Sequence, residues 1–431
     1  MFSSLSRCVL AAFLLIGSLY VAVSWWKLFS SPRLQDFDVY YVAAQDFSAK
    51  KDPYINSNNN YIYPPSSLVF IAPLVLFSLP GATLLWSLGS VAAMLMSFFF
   101  LSHLLLKRND GVFIAVLTIL SWWAFPLKFS LGMGQINAYL FLLLVAVLFY
   151  WQKKHRALAG LWLGLAIGLK LFPLFFCLFF VRKKDVNVLL NAAGTVITLH
   201  VLPMLWLGVA PVVHYYQSSF WQTVGGVNND AYYNQSLVGL LARLHFSPQY
   251  ISVIQLVSVI SLFLVSFFAT SSKFSSAKTH LLELGLFLCA WLIGERVSWQ
   301  HYFFFVCMPL AAFFPQFAAA KNVHKTLTIF TILLIGWNIK NPSAQFSVAP
   351  FFYSHVLIGT VVLFFLILTQ LHPVIFAKVT VFLTTVRRRL RPRNLALQPS
   401  LPANSEYPPR HPRQTRPRQK SSSATSLSSP H

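Results

Sequence analysis

Between residues 31 and 65 the chain carries Asp36, Asp38, Asp46 and Asp52, four of its ten Asp and Glu residues, directly after a long apolar run. A carboxylate at a membrane face can act as general base on a hydroxyl presented there. Asp36 is the first candidate, because it stands just beyond the apolar run and ahead of a helical pattern. The competing reading is structural: Asp36 or Asp38 can cap the helix that follows. Capping is the expected role of Asp38, although its place two residues from Asp36 also makes it a substrate contact and a rival for the base. Asp46 and Asp52 are expected to be structural.

Asp36-Phe37-Asp38 is also spelled like a metal-binding pair of nucleotide-sugar enzymes. Two carboxylates are a thin ligand set, and nucleotide sugars are not found on the outer side where this loop is expected. The expectation is therefore no metal and no cofactor.

The cations have two readings each. Lys170 follows Gly160, Gly164 and Gly168 and precedes Pro173 in an apolar stretch. A lysine there is costly unless paired or wetted; it either meets an anionic lipid phosphate or snorkels to the interface. Arg243, in a short amphipathic stretch after Asn234-Gln235, has the same two readings. Arg296 and His301 sit at the mouth of an apolar segment, where the histidine binds phosphate or hydroxyl or is merely an interfacial polar group. Trp299, Tyr302, Trp221 and Tyr232 suit an aromatic belt better than a sugar-stacking platform.

The elements that must hold these residues are membrane helices. The 431-residue chain is 56% hydrophobic and 10% charged, with mean hydropathy +0.63, outside the range of soluble domains. A net charge of +23 would suit nucleic acid, but its placement argues against that. Ten of the 33 Lys and Arg residues lie after 382, and others cluster at 107–108, 153–156 and 182–184. Short basic loops mark the cytoplasmic side. The tail also suits contact with anionic headgroups of membrane lipids. Cys8, Cys177, Cys289 and Cys307 lie in apolar segments with neither metal spacing nor a disulfide framework.

Taken in order, 8–29 is a retained first span that delivers 31–63 to the outside. Residues 38–47 form an interfacial helix. Residues 64–80 are too short and proline-broken to cross, and are expected to return to the outside. Residues 82–106, 112–126 and 136–151 cross in alternation. The stretch 157–181 has basic clusters at both ends, so it is expected to be a V-shaped pair of short helices with Lys170 near the apex, lining a cavity. Further segments cover 186–208, 247–270, 280–294, 301–318, 326–337 and 351–371. The sum is an all-α polytopic protein with about twelve membrane segments and both termini cytoplasmic. The domain reading is 1–382 as the membrane domain and 383–431 as a basic, Pro/Ser-rich disordered cytoplasmic tail.

Several motifs then resemble one family. They are Asp36-Phe37-x-Val39-Tyr40-Tyr41, Asp52-Pro53-Tyr54, Tyr61-x-Tyr63-Pro64-Pro65 and Pro73-Leu74. Then follow Gly134-Gln135-x-Asn137, Gly160-x-x-x-Gly164 leading to Lys170-x-x-Pro173, Asn234-Gln235-Ser236-Leu237 with Arg243, and Ser298-Trp299-x-His301-Tyr302. In this order they resemble glycosyltransferase family 87, over roughly residues 30 to 310. The resemblance implies a GT-C fold and an inverting transfer of a hexosyl, expected mannosyl, group. The donor implied is a polyprenyl-phosphate sugar, and the acceptor a lipid or glycan hydroxyl. It puts the base on Asp36 and the family's tryptophan-x-histidine motif on His301. Substrate contacts are expected at Asp38, Tyr40, Tyr63, Gln135, Asn137, Lys170, Asn234, Gln235, Arg243, Arg296 and His301. A bacterial inner membrane with the active site facing the periplasm is the expected setting. The contrasting class is a transporter or flippase for lipids or polyprenyl-linked sugars, which would place its charges near the bilayer midplane between repeats. A non-catalytic scaffold on the same fold is the third.

Overall fold

The structure is a computed structural model; it describes residues 4–55, 61–221, 230–339 and 350–373. The expected boundary at 382/383 and the basic tail lie outside the described residues. The chain runs through α1 (Ser4–Phe29), α2 (Gln35–Ser48), α3 (Pro65–Ile71), α4 (Leu79–Leu106), α5 (Gly111–Trp123), α6 (Phe125–Met133) and α7 (Asn137–Gln152). It continues through α8 (Arg156–Leu169), α9 (Cys177–Lys183), α10 (Val186–Leu207), α11 (Leu237–Arg243), α12 (Pro248–Ala269), α13 (Ala277–Gly294), α14 (Asn322–Gly336) and α15 (His355–Leu371). Among the described residues the only extended pairing is a single bridge, Asn234 to Trp299.

Polar residues set the helix starts. Asp110 accepts from the Phe113 N–H at 2.9 Å. Ser236 accepts from Gly239 N–H at 3.0 Å and Ser276 from Thr279 N–H at 3.2 Å. These satisfy amides that have no partner within the helix.

Among the described residues, α1, α4, α10, α12 and α13 are each long and apolar enough to cross a membrane. The pair α5 and α6, bent by 75° at its break, adds a sixth if it is one span. The remaining apolar helices, including α7, α8, α14 and α15, have 10–17 residues. Helix length alone therefore does not establish the expected count of about twelve segments.

Two irregular segments position the site. Residues 157–181 form the expected hairpin: α8 rises, a 3-10 turn at Phe172–Phe176 reverses it, and α9 returns. Both feet are tied at one end of the bundle. Arg156 pairs with Asp185 at 3.0 Å, and Lys183 pairs with Glu283 at 2.7 Å with both side chains buried. Along the rise, glycines let α8 press on α10; a Cβ at Gly164 would lie 2.5 Å from Thr195 Cβ and 2.7 Å from Ala192 O. Such close backbone approach drives helix association where lipid offers no hydrophobic gain. Lys170 is left at the tip.

The second irregular segment is α3 with the 3-10 turn Ala72–Leu76. It does not cross. Tyr63 before it bonds Tyr40, and Phe77 after it accepts from Tyr41 Oη at 2.7 Å, so both ends stay beside α2. α2 itself starts three residues earlier than expected. Its buried face (Phe37, Tyr40, Tyr41, Ala44, Phe47) repeats at helical spacing, and Phe37 stacks on Trp86 of α4 with centroids 5.0 Å apart. The expected interfacial helix is thus docked on protein.

Candidate functional site

Asp36 is half-buried near the start of α2, and its Oδ2 accepts a hydrogen bond from Gln135 Nε2. Gln135 lies in the turn between α6 and α7. Its Oε1 accepts from Tyr63 Oη at 2.9 Å and lies 3.2 Å from Tyr40 Oη. Tyr40 Oη in turn donates to Tyr63 Oη at 2.9 Å. The turn needs glycine before it. Gly134 has φ +77°, and a Cβ there would lie 2.7 Å from Phe37 Cβ and 2.9 Å from Leu34 Cβ. Glycine adopts that backbone without strain and lacks the Cβ that would meet α2. Trp86 Nε1 fixes the Gly134 carbonyl at 2.9 Å.

Lys170 approaches from the hairpin tip. Its Nζ is buried and has no hydrogen-bond partner. It lies 4.0 Å from the centre of the Tyr302 ring and 5.2 Å from that of Tyr63. Tyr63 therefore touches both the amide that holds Asp36 and the lysine. Burial works against the ammonium; the carboxylates of Asp36 and Glu295 offset part of that through space, as do the cation–π contacts. Burial lifts the Asp36 carboxyl above its ordinary value; the Gln135 hydrogen bond and the Lys170 charge pull it back part of the way.

His301 is 5% exposed, and neither ring nitrogen has a partner. Its ring meets Tyr302 at 4.5 Å and Phe129 at 5.3 Å. Arg296 is half-buried with its Nε unpartnered. Buried polar groups are almost always hydrogen-bonded. Lys170 and His301, both unsatisfied and both on Tyr302, suit an anionic group that arrives with a ligand.

Other expected site residues make bonds within the protein. Asp38 neither caps nor faces the cluster: the helix N-cap is Leu34, with no side-chain bond. Asp38 pairs with Arg33 at 2.8 Å, because a step of two residues turns it to roughly the opposite side of the helix from Asp36. Asn137 is fully buried, with Nδ2 on Ser130 Oγ at 3.1 Å. Asn234 staples one loop to another: its Oδ1 accepts from Ser298 N–H at 3.0 Å and its Nδ2 donates to Arg296 O at 3.1 Å. Gln235, also fully buried, donates to Tyr232 O at 2.6 Å and Tyr353 O at 2.7 Å. Arg243 clamps carbonyls, donating to Ala231 O at 2.9 Å, Asn234 O at 3.0 Å and Ser354 Oγ at 2.8 Å. Asn234, Gln235 and Arg243 build the loop that presents 298–302, and the Arg243 Nε is buried without a partner. Asp52 accepts from Tyr54 N–H at 2.8 Å and lies 3.2 Å from His214 Nδ1.

Tyr302 and Glu295 were missed. Tyr302 read as a belt residue, yet it carries both Lys170 and His301. Glu295 accepts from Trp291 Nε1 at 2.6 Å and faces the lysine; the signal was a buried cation in need of counter-charge. Among the described residues no group of three or more His, Cys, Asp or Glu side chains could hold a metal.

A carboxylate able to take a proton, beside a desolvated cation, suits transfer of a group from an anionic leaving group to a hydroxyl. The sequence profile of glycosyltransferase family 87 matches residues 61–294. The chain belongs to glycosyltransferase family 87. It is an integral-membrane glycosyltransferase of the GT-C fold. The match spans Tyr63, Gln135 and Lys170, while Asp36 and His301 lie outside it. The chain is similar to the polyprenol-phosphate-mannose-dependent alpha-(1-2)-phosphatidylinositol mannoside mannosyltransferases of Mycobacterium tuberculosis and Mycolicibacterium smegmatis. Identity is 25% over 330 residues and 26% over 314, covering 70% and 65% of this chain and 75% and 69% of the relatives. A phosphatidylinositol pentamannoside mannosyltransferase of M. tuberculosis is 27% identical over 251 residues, 56% of this chain and 55% of its own.

Proposed function

We propose that this glycosyltransferase moves a mannosyl group from a polyprenyl-phosphate donor to a hydroxyl of a lipid or glycan acceptor, with inversion. The observation that carries this reading is the buried Lys170 ammonium, without a hydrogen-bond acceptor, on the rings of Tyr302 and Tyr63. Asp36 takes the acceptor proton. The freed oxygen bonds to the anomeric carbon as the bond from that carbon to the phosphate oxygen breaks. The electron pair leaves on the polyprenyl phosphate, which gains negative charge. Lys170, with His301 and Arg296, holds that phosphate; fixed charges of this kind favour the transition state without reorganising. The acceptor attacks opposite the departing phosphate, which gives inversion.

The name of the relatives supports the donor class, and their phosphatidylinositol mannoside is a lipid-borne acceptor of the proposed kind. The basic short loops support a site on the non-cytoplasmic face, and the mycobacterial source of the relatives supports a bacterial inner membrane. A lipid-linked donor fits that side, since no sugar nucleotide need cross.

The test supplies purified protein with radiolabelled polyprenyl-phosphate-mannose and a membrane lipid extract. Wild type is expected to label a lipid, Asp36→Asn to lose about 10³-fold in rate, and Asp38→Asn to remain within a few-fold. Transfer retained by Asp36→Asn would remove Asp36 as base. Movement of the donor across vesicles without transfer would favour a transporter.

A further inference from the structure

We propose that Gln135 is a positioning residue for the transfer reaction: its side-chain amide, clamped from behind by Tyr63 and Tyr40, aims the Asp36 carboxylate at the acceptor hydroxyl. This rests on Asp36 being the base.

An amide has a donor end and an acceptor end, and here the two ends face different partners. Oε1 of Gln135 receives the Tyr63 hydroxyl at 2.9 Å. Turning the amide over would set its NH2 against that donating hydroxyl and its oxygen against the carboxylate. The phenols therefore dictate that Nε2 points at Asp36 Oδ2. With Oδ2 engaged, Oδ1 has no partner among the described residues, and it is the oxygen left to receive a proton. Gln135 is 7% exposed and the turn is held by Gly134 and Trp86, so the amide has little freedom to drift. In wet surroundings such a contact would be worth little; in a buried site it is strong.

The amide also discriminates between the two states of Asp36. It donates to the carboxylate, so it favours the deprotonated form over the protonated one. Other groups face Asp36 as well. Lys170 comes from the hairpin tip and Tyr302 from the 3-10 segment Gln300–Val306. Tyr40 lies on α2 itself, and Tyr63 just before α3. α4 turns Trp86 toward α2, and Ala72–Leu76 has no ionisable side chain. Among these, Gln135 alone is hydrogen-bonded to the carboxylate.

The experiment measures the pH dependence of kcat/KM for the acceptor in vesicles holding the full chain, with Gln135→Leu, Tyr63→Phe and Asp36→Asn beside wild type. In Gln135→Leu the acid limb is expected to move up by about one pH unit, with the KM for the donor unchanged and most of the rate recovered above the limb. Tyr63→Phe, which leaves the amide in place but frees it to turn, is expected to shift the limb the same way and less far. It carries the test if Gln135→Leu does not accumulate. A rate reduced equally at every pH, with the limb unmoved, would overturn the positioning role while an inactive Asp36→Asn left the base assignment standing. An active Asp36→Asn would overturn both.

Discussion

Lys170 Nζ rests 4.0 Å above the centre of the Tyr302 ring. The aromatic face softens the burial of the charge without neutralising it, so the ammonium keeps its capacity for an anion. Replacing it with Met keeps much of the packing and removes the charge. Lys170→Met is expected to lose about 10²–10³-fold in kcat/KM with an unchanged thermal midpoint in detergent. Lys170→Arg should recover part of the loss. Wild-type kinetics in Lys170→Met would show that the phosphate is held elsewhere.

The acid side of the rate profile follows from Asp36. Burial lifts its carboxyl above the ordinary value, and a base works only when deprotonated. The rate should therefore fall as pH drops through a midpoint above that of a free aspartate, about 3.9. A pH series of kcat/KM at saturating donor reads this directly. A midpoint at or below the free value would contradict the burial.

Gly134→Ala puts a Cβ 2.7 Å from Phe37 Cβ on a backbone of positive φ. Strain of this type costs about 1–3 kcal/mol. It should also push α2 off the Gln135 turn, lowering activity more than stability. The check compares transfer rate with unfolding midpoint. A drop in the midpoint with full activity would mean the approach of α2 is not needed.

The buried Lys183–Glu283 pair gives a stability prediction at the other end of the molecule. Lys183→Met strands a carboxylate and should cost about 3–5 kcal/mol. Adding Glu283→Gln, whose oxygen still accepts from Ser271 N–H, should return most of that. Unfolding in detergent would separate the two; equal losses in the single and the double variant would exclude a charge effect.

Much of this was legible in the chain, for reasons that differ by residue. Lys170 stood out because a charge among glycines and apolar residues has few explanations, and basic clusters at both ends of 157–181 required a hairpin. Asp36 stood out by its place beyond α1. The amide motif was legible only in part: a sequence shows the polarity of Asn234 and Gln235 and not their partners within the protein, which are backbone groups of 296, 298, 232 and 353. The same holds for the carbonyls that Arg243 clamps. Asp38 differs from Asp36 only through helix phase, which a two-residue motif hides. The number of crossings stays open in the sequence and in helix length alike, since half-length helices are as apolar as full ones.

The hairpin that carries Lys170 has a geometric corollary. Its rising arm has 14 residues and so spans about 21 Å at 1.5 Å per residue, against about 30 Å of hydrocarbon. Planted at one surface, its tip ends about 9 Å beneath the opposite one. A phosphate that meets Lys170 must then sink below headgroup level, which a long-tailed lipid does simply by sliding deeper along its own axis. On the proposed function, such an enzyme would reach its donor sideways, from within the bilayer, and local thinning or thickening of that bilayer would act on its rate.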